Sequence, residues 1–330
     1  MNLLAARAVL AAVLAGTVPM AGAAPFTAAQ IMSNFNAVTI GNLSVGNSET
    51  QGPVVAGGNL SGAQVNINGS ALAPVFAGYG DANAYGNVSL LNANRQTVYA
   101  GGTAGGGLSG VALAVSGYTF PDPVSALVQP LLSLSSAFQG MAGTTVTSLP
   151  MNNAILSPNT TVAIGGVNVG VINITGAALD GASSFSINPN GAALVVVNVD
   201  ASGNFAYGGN FNQSAATGYT LFNFYNALNV SLGSWNASIL APQATVSDTT
   251  AINGFVFADA ISTSGELHMA PLNAVPNLVS ASTSAQGASV PEPDSLDLFG
   301  ISLIGLLGVV SRRFPAMRRD RVWRRFRPQV

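Results

Sequence analysis

From Val38 to Phe257 the chain runs as short β-branched stretches that alternate apolar residues with Asn, Ser or Thr and break at glycine. Val54-Val55, Val162-Ala163-Ile164, Val167 to Ile174, Leu194 to Val199, Tyr219 to Phe224 and Phe255-Val256-Phe257 are the clearest. A period of two over four to eight residues is the mark of half-buried strands. Gly-Gly, Asn-Gly and Pro-Asn-Gly between the runs supply turns. Such strands can close a sandwich, a barrel or a solenoid. Glycine and asparagine at the corners favour a solenoid of short parallel rungs, because corners need φ > 0. Stacked Asn side chains can also bond along the pile, giving polar order without charge. No strict repeat is visible, so the solenoid is expected to be irregular.

Charge is scarce. Hydrophobic residues make up 48% of the chain and charged ones 7%, against about 25% charged in an ordinary soluble domain. There is no cysteine, no lysine and one histidine, His268. This excludes thiolate zinc sites, disulfides, Schiff bases and a Gly-Lys-Ser/Thr phosphate loop. Between Pro25 and Val290, Arg95 is the only base, facing Glu49, Asp81, Asp122, Asp180, Asp200, Asp248, Asp259 and Glu266. A mildly acidic body leaves no basic face for nucleic acid.

One helix is expected after Asp122-Pro123, with Asp122 as cap and Pro123 at the first helical position. Val124, Leu127, Val128, Leu131, Leu132, Leu134, Phe138 and Met141 share one face, and Gly140 or Gly143 ends the helix. Its other face is uncharged, which suits packing along a strand stack and does not suit a lipid surface.

The chain ends read as addresses. Residues 1–23 have a base (Arg7), an apolar run (Val9 to Ala15) and a closing Ala21-Gly22-Ala23, the layout of a secretory signal in which Ala21 and Ala23 form the A-x-A cleavage pattern. Residues 273–289 have a Ser/Ala-rich linker composition. Within 290–313 stand Pro291, Glu292 and Pro293, then the apolar run Leu298 to Val310, then Arg312 and Arg313. Basic residues beyond a short apolar helix hold it across a membrane with the preceding domain outside. Residues 314–330 form an Arg-rich tail, expected to be cytoplasmic. Residues 290–313 resemble the PEP-CTERM sorting signal of Gram-negative bacteria. The resemblance implies that a membrane-embedded exosortase recognises Pro291-Glu292-Pro293 and processes the exported protein.

A second resemblance covers the body, 24–272. Phe35 to Leu43 and Gly52 to Asn59 are similar to the opening of the choice-of-anchor A family. Leu221 to Phe224, Trp235, Ile239 to Pro242, Asn253 to Val256 and Gly265 to His268 are similar to its close. That family implies an exported bacterial surface protein with adhesive character and no enzymatic activity. Its implied fold is mainly β, an irregular right-handed parallel β-solenoid with one long helix packed alongside.

Catalytic candidates are few. A Ser-His-Asp triad would have to use His268, with Glu266 on the same side of an extended segment. Asp248 and Asp259 on adjacent rungs are the pair a polysaccharide-cleaving solenoid would use. Gly101 to Gly107 lacks the spacing of a nucleotide cradle and reads as a flexible loop. Thr144-Thr145, Thr160-Thr161 and Thr249-Thr250 are adjacent pairs whose members point to opposite faces, so they build no ice-binding array. Nine N-x-S/T sequons, Asn87-Val88-Ser89 among them, are what chance yields in so Asn- and Ser-rich a chain. The expectation is therefore a surface or matrix protein with no catalytic site, cofactor or metal. Its expected partners are exosortase, the membrane through the C-terminal helix, and exopolysaccharide met by Asn, Ser, Tyr79, Tyr85, Tyr207 and Trp235.

Overall fold

The computed structural model describes residues 26–65, 76–93 and 95–277. These lie in a compact unit, Met1–Val279; the second unit, Ser280–Val330, lies outside the described residues.

Short strands with glycine corners stack in parallel, as the alternation predicts, and form three columns. The first column runs from Leu113–Val115 through Thr97–Ala100, Ala82–Ala84 and Val54–Ala56 to Ala37–Thr39. It continues through Val256–Thr263, Ser238–Asp248, Thr220–Asn223, Leu194–Asp200 and Val167–Thr175 to Thr144–Val146. A second column runs from Ala104–Gly105 to Gly203–Ala206 through the neighbouring segments of the same rungs. The third is more broken and includes Ala251–Asn253, Glu266–His268 and the single-residue bridges Phe211↔Trp235 and Trp235↔Ile252. Thr161–Ile164 departs from the parallel rule. It folds back antiparallel on Val167–Gly170 through Gly165 and Gly166, at φ +55° and +84°, which a two-residue hairpin turn requires.

The order of rungs is not the order of the chain. The first rung sits in the middle, with Ala37 paired to Val54 on one side and to Val256 on the other. From there the chain climbs to one end at Leu113–Val115, crosses back through a helix and restarts at Thr144–Val146. It then works inward until its last rung meets its first.

That helix, Val124–Gln139, is the expected one, with one correction. Pro123 is the N-cap, at φ −67° and ψ 152°, and no side chain caps the helix. Asp122 is held by its backbone instead, its carbonyl accepting the Tyr85 hydroxyl at 2.7 Å. A residue ahead of proline is driven towards extended backbone, so the chain enters the helix one residue later than the Asp122 cap would have it. Gly140 closes the helix as expected. Leu127, Val128, Leu131, Leu134 and Phe138 are buried against Val38, Val55, Val196, Leu221, Leu240 and Phe257 of the first column. Asn173, Asn198 and Asn223 form a ladder beneath the helix C-terminus. Asn223 donates to Asn198 and Asn198 to Asn173, each at 2.9 Å. The same three amides donate to the carbonyls of Ser135, Phe138 and Met141. The stack below thus supplies side-chain donors to carbonyls around the helix end. Asparagine bonds along the pile, as expected.

Candidate functional site

The second column carries a pattern on its outward side. Its inward file is apolar and buried: Phe205, Val230, Val246, Ile261, Leu43, Leu60 and Val88. Because side chains alternate across a strand, the next residue of each rung faces out. Those residues are Ala206, Ser231, Ser247, Ser262, Ser44, Ser61, Ser89 and Gly105 in stacking order. Register pairs fix every step but one: Ala206↔Ser231, Ser231↔Ser247, Ser262↔Ser44, Ser44↔Ser61, Ser61↔Ser89 and Ser89↔Gly105. The remaining step, Ser247 to Ser262, lies one residue past the pair Val246↔Ile261. Six serines therefore occupy successive rungs, all partly or fully exposed. Rungs stand about 4.8 Å apart, and the serine side chains face outward.

Two residues before each serine lies a corner file: Asn204, Asn229, Thr245, Ala260, Asn42, Asn59, Asn87 and Thr103. Asn42 Oδ1 accepts the Asn59 amide, Asn59 Oδ1 the Asn87 amide and Asn87 Oδ1 the Thr103 amide, each at 2.8 Å. The preceding glycine makes room for this. A Cβ on Gly58, Gly86 or Gly102 would stand 2.4, 2.5 or 2.2 Å from the Asn oxygen of the rung beside it. No charged side chain stands in either file.

Sequence reasoning missed this face although its signature is present. Gly41-Asn42-Leu43-Ser44, Gly58-Asn59-Leu60-Ser61 and Gly86-Asn87-Val88-Ser89 are one rung corner repeated, and Asn229-Val230-Ser231 is its counterpart in the other half. Four of the nine sequons are therefore structural repeats and not chance. A regular array does exist; it is of serine, at positions the threonine pairs do not occupy. Gly101 to Gly107 is corrected for the same reason. It is a rung corner followed by the strand Ala104–Gly105, and its glycines answer close approach: a Cβ on Gly101 would lie 2.3 Å from the Tyr85 carbonyl.

The aromatic contacts expected for polysaccharide are also corrected. Trp235 is fully buried, and Tyr79 and Tyr207 nearly so. Burial holds the Tyr207 hydroxyl at about 12. Tyr85 is half-buried, and its hydroxyl is taken up by Tyr79 and by the Asp122 carbonyl. These rings fill space between layers, where their large apolar area is stabilising.

Glu266 and His268 do lie on one side of their strand, with Glu266 Oε2 2.6 Å from His268 Nε2. His268 Nδ1 meets Asn253 Oδ1 at 2.7 Å, and Asn253 in turn donates to Asn236 at 2.6 Å. Both ring nitrogens thus take part in a chain of bonds across rungs. Asp248 and Asp259 do occupy adjacent rungs, but Asp259 is exposed while Asp248 is 2% exposed beside Thr263. They share no cleft. Burial raises the Asp248 carboxyl to about 7, against the Gly265 and Asp248 amides and the nearby His268, which favour the anion. The Thr263 hydroxyl lies between Asp248 Oδ1 and the Gly265 carbonyl.

An open depression of about 340 Å³ is lined by Asp180, Asp200, Ser202 and Asn204 among others. Among the described residues no three His, Asp or Glu side chains converge as metal ligands. No helix among them is long and apolar enough to cross a membrane. Ala21, Ala23, Pro291, Glu292, Pro293, Arg312 and Arg313 lie outside the described residues.

Residues 28–269 match the family described as "Putative Ice-binding-like adhesive domain". No curated protein matches the chain. The match spans nearly all of the stack and its helix, including both files of the second column, and the chain belongs to this family of ice-binding-like adhesive domains.

Proposed function

We propose that the protein is a non-enzymatic adhesive domain of the cell surface or extracellular matrix, and that the serine and asparagine files are its contact face. The observation that carries this reading is the run of six serines on successive rungs, without charge and with hydroxyls turned outward. Hydroxyls and amides at fixed spacing suit a neutral polyol chain, which offers hydroxyls in return and asks for no counter-charge. Exopolysaccharide is the ligand of that chemistry. Membership of an adhesive family supports an extracellular or cell-surface location. Export by residues 1–23 and exosortase sorting through Pro291-Glu292-Pro293 and Arg312-Arg313 in a Gram-negative cell complete the proposal, on the resemblance of those segments.

Affinity electrophoresis in gels containing the producer's purified exopolysaccharide tests the face. The protein should be retarded, and Ser44→Val with Ser61→Val and Ser89→Val should abolish retardation while the circular dichroism spectrum stays unchanged. Equal retardation of the triple variant removes the face from the reading. Release of reducing ends from the polysaccharide would remove the non-enzymatic assignment.

A further inference from the structure

The two ends of the stack are finished differently. At one end the outer edge of Val167–Thr175 is shared by two strands, Thr144–Val146 in parallel and Thr161–Ile164 antiparallel between Pro158 and the Gly165-Gly166 turn, so the edge is split between two directions. Reversed strands, turns and prolines are devices that discourage further strand addition. At the other end no such device is present. Among the described residues Leu113–Val115 pairs on one side only, with Thr97–Tyr99. The Leu113 amide donates inward to the Gln96 carbonyl, so alternation turns the N–H and C=O of Ala114 towards the open edge. Ala112, Leu113 and Ala114 are exposed, Leu113 at 49%, and Leu91 of the adjoining rung is exposed at 66%. From Ala104 to Tyr118 there is no charged residue and no proline.

We propose that this end is a self-association surface, at which two copies of the chain pair antiparallel through Leu113–Val115 about a two-fold axis. The occupant follows from the edge itself. It offers the outward amide and carbonyl of Ala114, and a two-fold copy offers the same pair in the orientation that antiparallel bonds need. The paired segment itself is uncharged; the nearest base, exposed Arg95, sits on the adjoining rung, where its amide donates to the Gly110 carbonyl. The contact closes at two because each copy has one such end. Pairing would set two second columns end to end, since Ala104–Gly105 belongs to the same terminal turn.

The test uses the absence of cysteine. In the full chain, Ala114→Cys places one thiol at the centre of the paired strand. Opposed Cα atoms in an antiparallel pair, about 4.5 to 5.5 Å apart, are within disulfide range. Under mild oxidation this variant should convert to a covalent dimer, whereas Leu228→Cys, on an exposed strand of the second column, should not. Light scattering should give twice the chain mass for the unmodified protein and the single mass for Ala114→Pro, which lacks the outward N–H, with circular dichroism unchanged. A monomer at every concentration, with Ala114→Cys crosslinking no faster than Leu228→Cys, would overturn the proposal. A concentration-dependent ladder without an Ala114→Cys disulfide would also overturn it, since that is head-to-tail growth.

Discussion

The two halves of the stack place most of their aromatic residues on opposite sides of the same sheet, with Phe255 and Phe257 at the join packing on the helix side. In the later half, Phe185, Phe205, Tyr207, Phe211, Phe222, Phe224 and Trp235 fill the interior, with Phe222 and Trp235 centroids 4.7 Å apart. In the earlier half the interior is lined by Ala37, Ala56, Ala82, Ala84 and Ala100 between Leu and Val. Its rings, Phe35, Phe76 and Tyr79 with Tyr85 and Phe120 beside them, pack outside on the helix side. A solenoid can therefore vary the bulk enclosed by its rungs while keeping the backbone ladder, provided the displaced bulk returns as a layer outside.

The largest effect expected from this contrast is in the later half. Trp235→Ala should cost about 3–5 kcal/mol, read as a lower urea midpoint, because a fully buried ring leaves a cavity. Ala84→Leu in the earlier half should also destabilise, by about 1–3 kcal/mol, because its interior has no slack. Stabilisation by Ala84→Leu would show that the earlier half is underfilled and would break the comparison.

The join between the halves is the next test. Asp248 lies beside Thr263, whose rung pairs with Val45 of the first rung. An unfolded aspartate ionises near pH 4, whereas the buried one holds its proton to about 7. Below about pH 4 both states are protonated and the full stability is present. As pH rises the unfolded chain ionises first, so stability should fall by on the order of 3–4 kcal/mol and level off above about 7. Asp81, raised by burial as well, adds in the same direction. Denaturant titrations from pH 4 to 8 should show this fall, and Asp248→Asn should remove most of it. A stability that rises with pH would show that the join holds an anion.

Smaller effects separate the corners. Gly86→Ala should cost about 1–3 kcal/mol, since its Cβ would stand 2.5 Å from Asn59 Oδ1. Gly208→Ala meets nothing within 4 Å and should be neutral or slightly stabilising. Equal thermal midpoints for the two would remove the glycine-asparagine account of the narrow half.

Much of the fold is legible in the chain, and the face is legible only in hindsight. Val167 to Ile174 and Leu194 to Val199 announce strands because period-two alternation is local, and Leu127 to Phe138 announce a helix for the same reason. The serine file is hidden because its members are neighbours across rungs whose connectors differ in length. Gly41-Asn42-Leu43-Ser44 and Gly58-Asn59-Leu60-Ser61 follow closely, and the next corner waits until Gly86. Aromatic side is hidden too. Whether Trp235 points in or out depends on the parity of a one-residue bridge between Phe211 and Ile252, which no local pattern encodes.

The placement of the opening rung sets a schedule for assembly. Ala37 to Thr39 needs Val256 to Ala258 as one of its two neighbours, so a chain emerging from its N-terminus cannot zip up in step with its own delivery. Contacts of such long sequence separation slow folding, because the loop must close before anything is gained. Whatever guards the partly made molecule has to do so until nearly its last strand arrives.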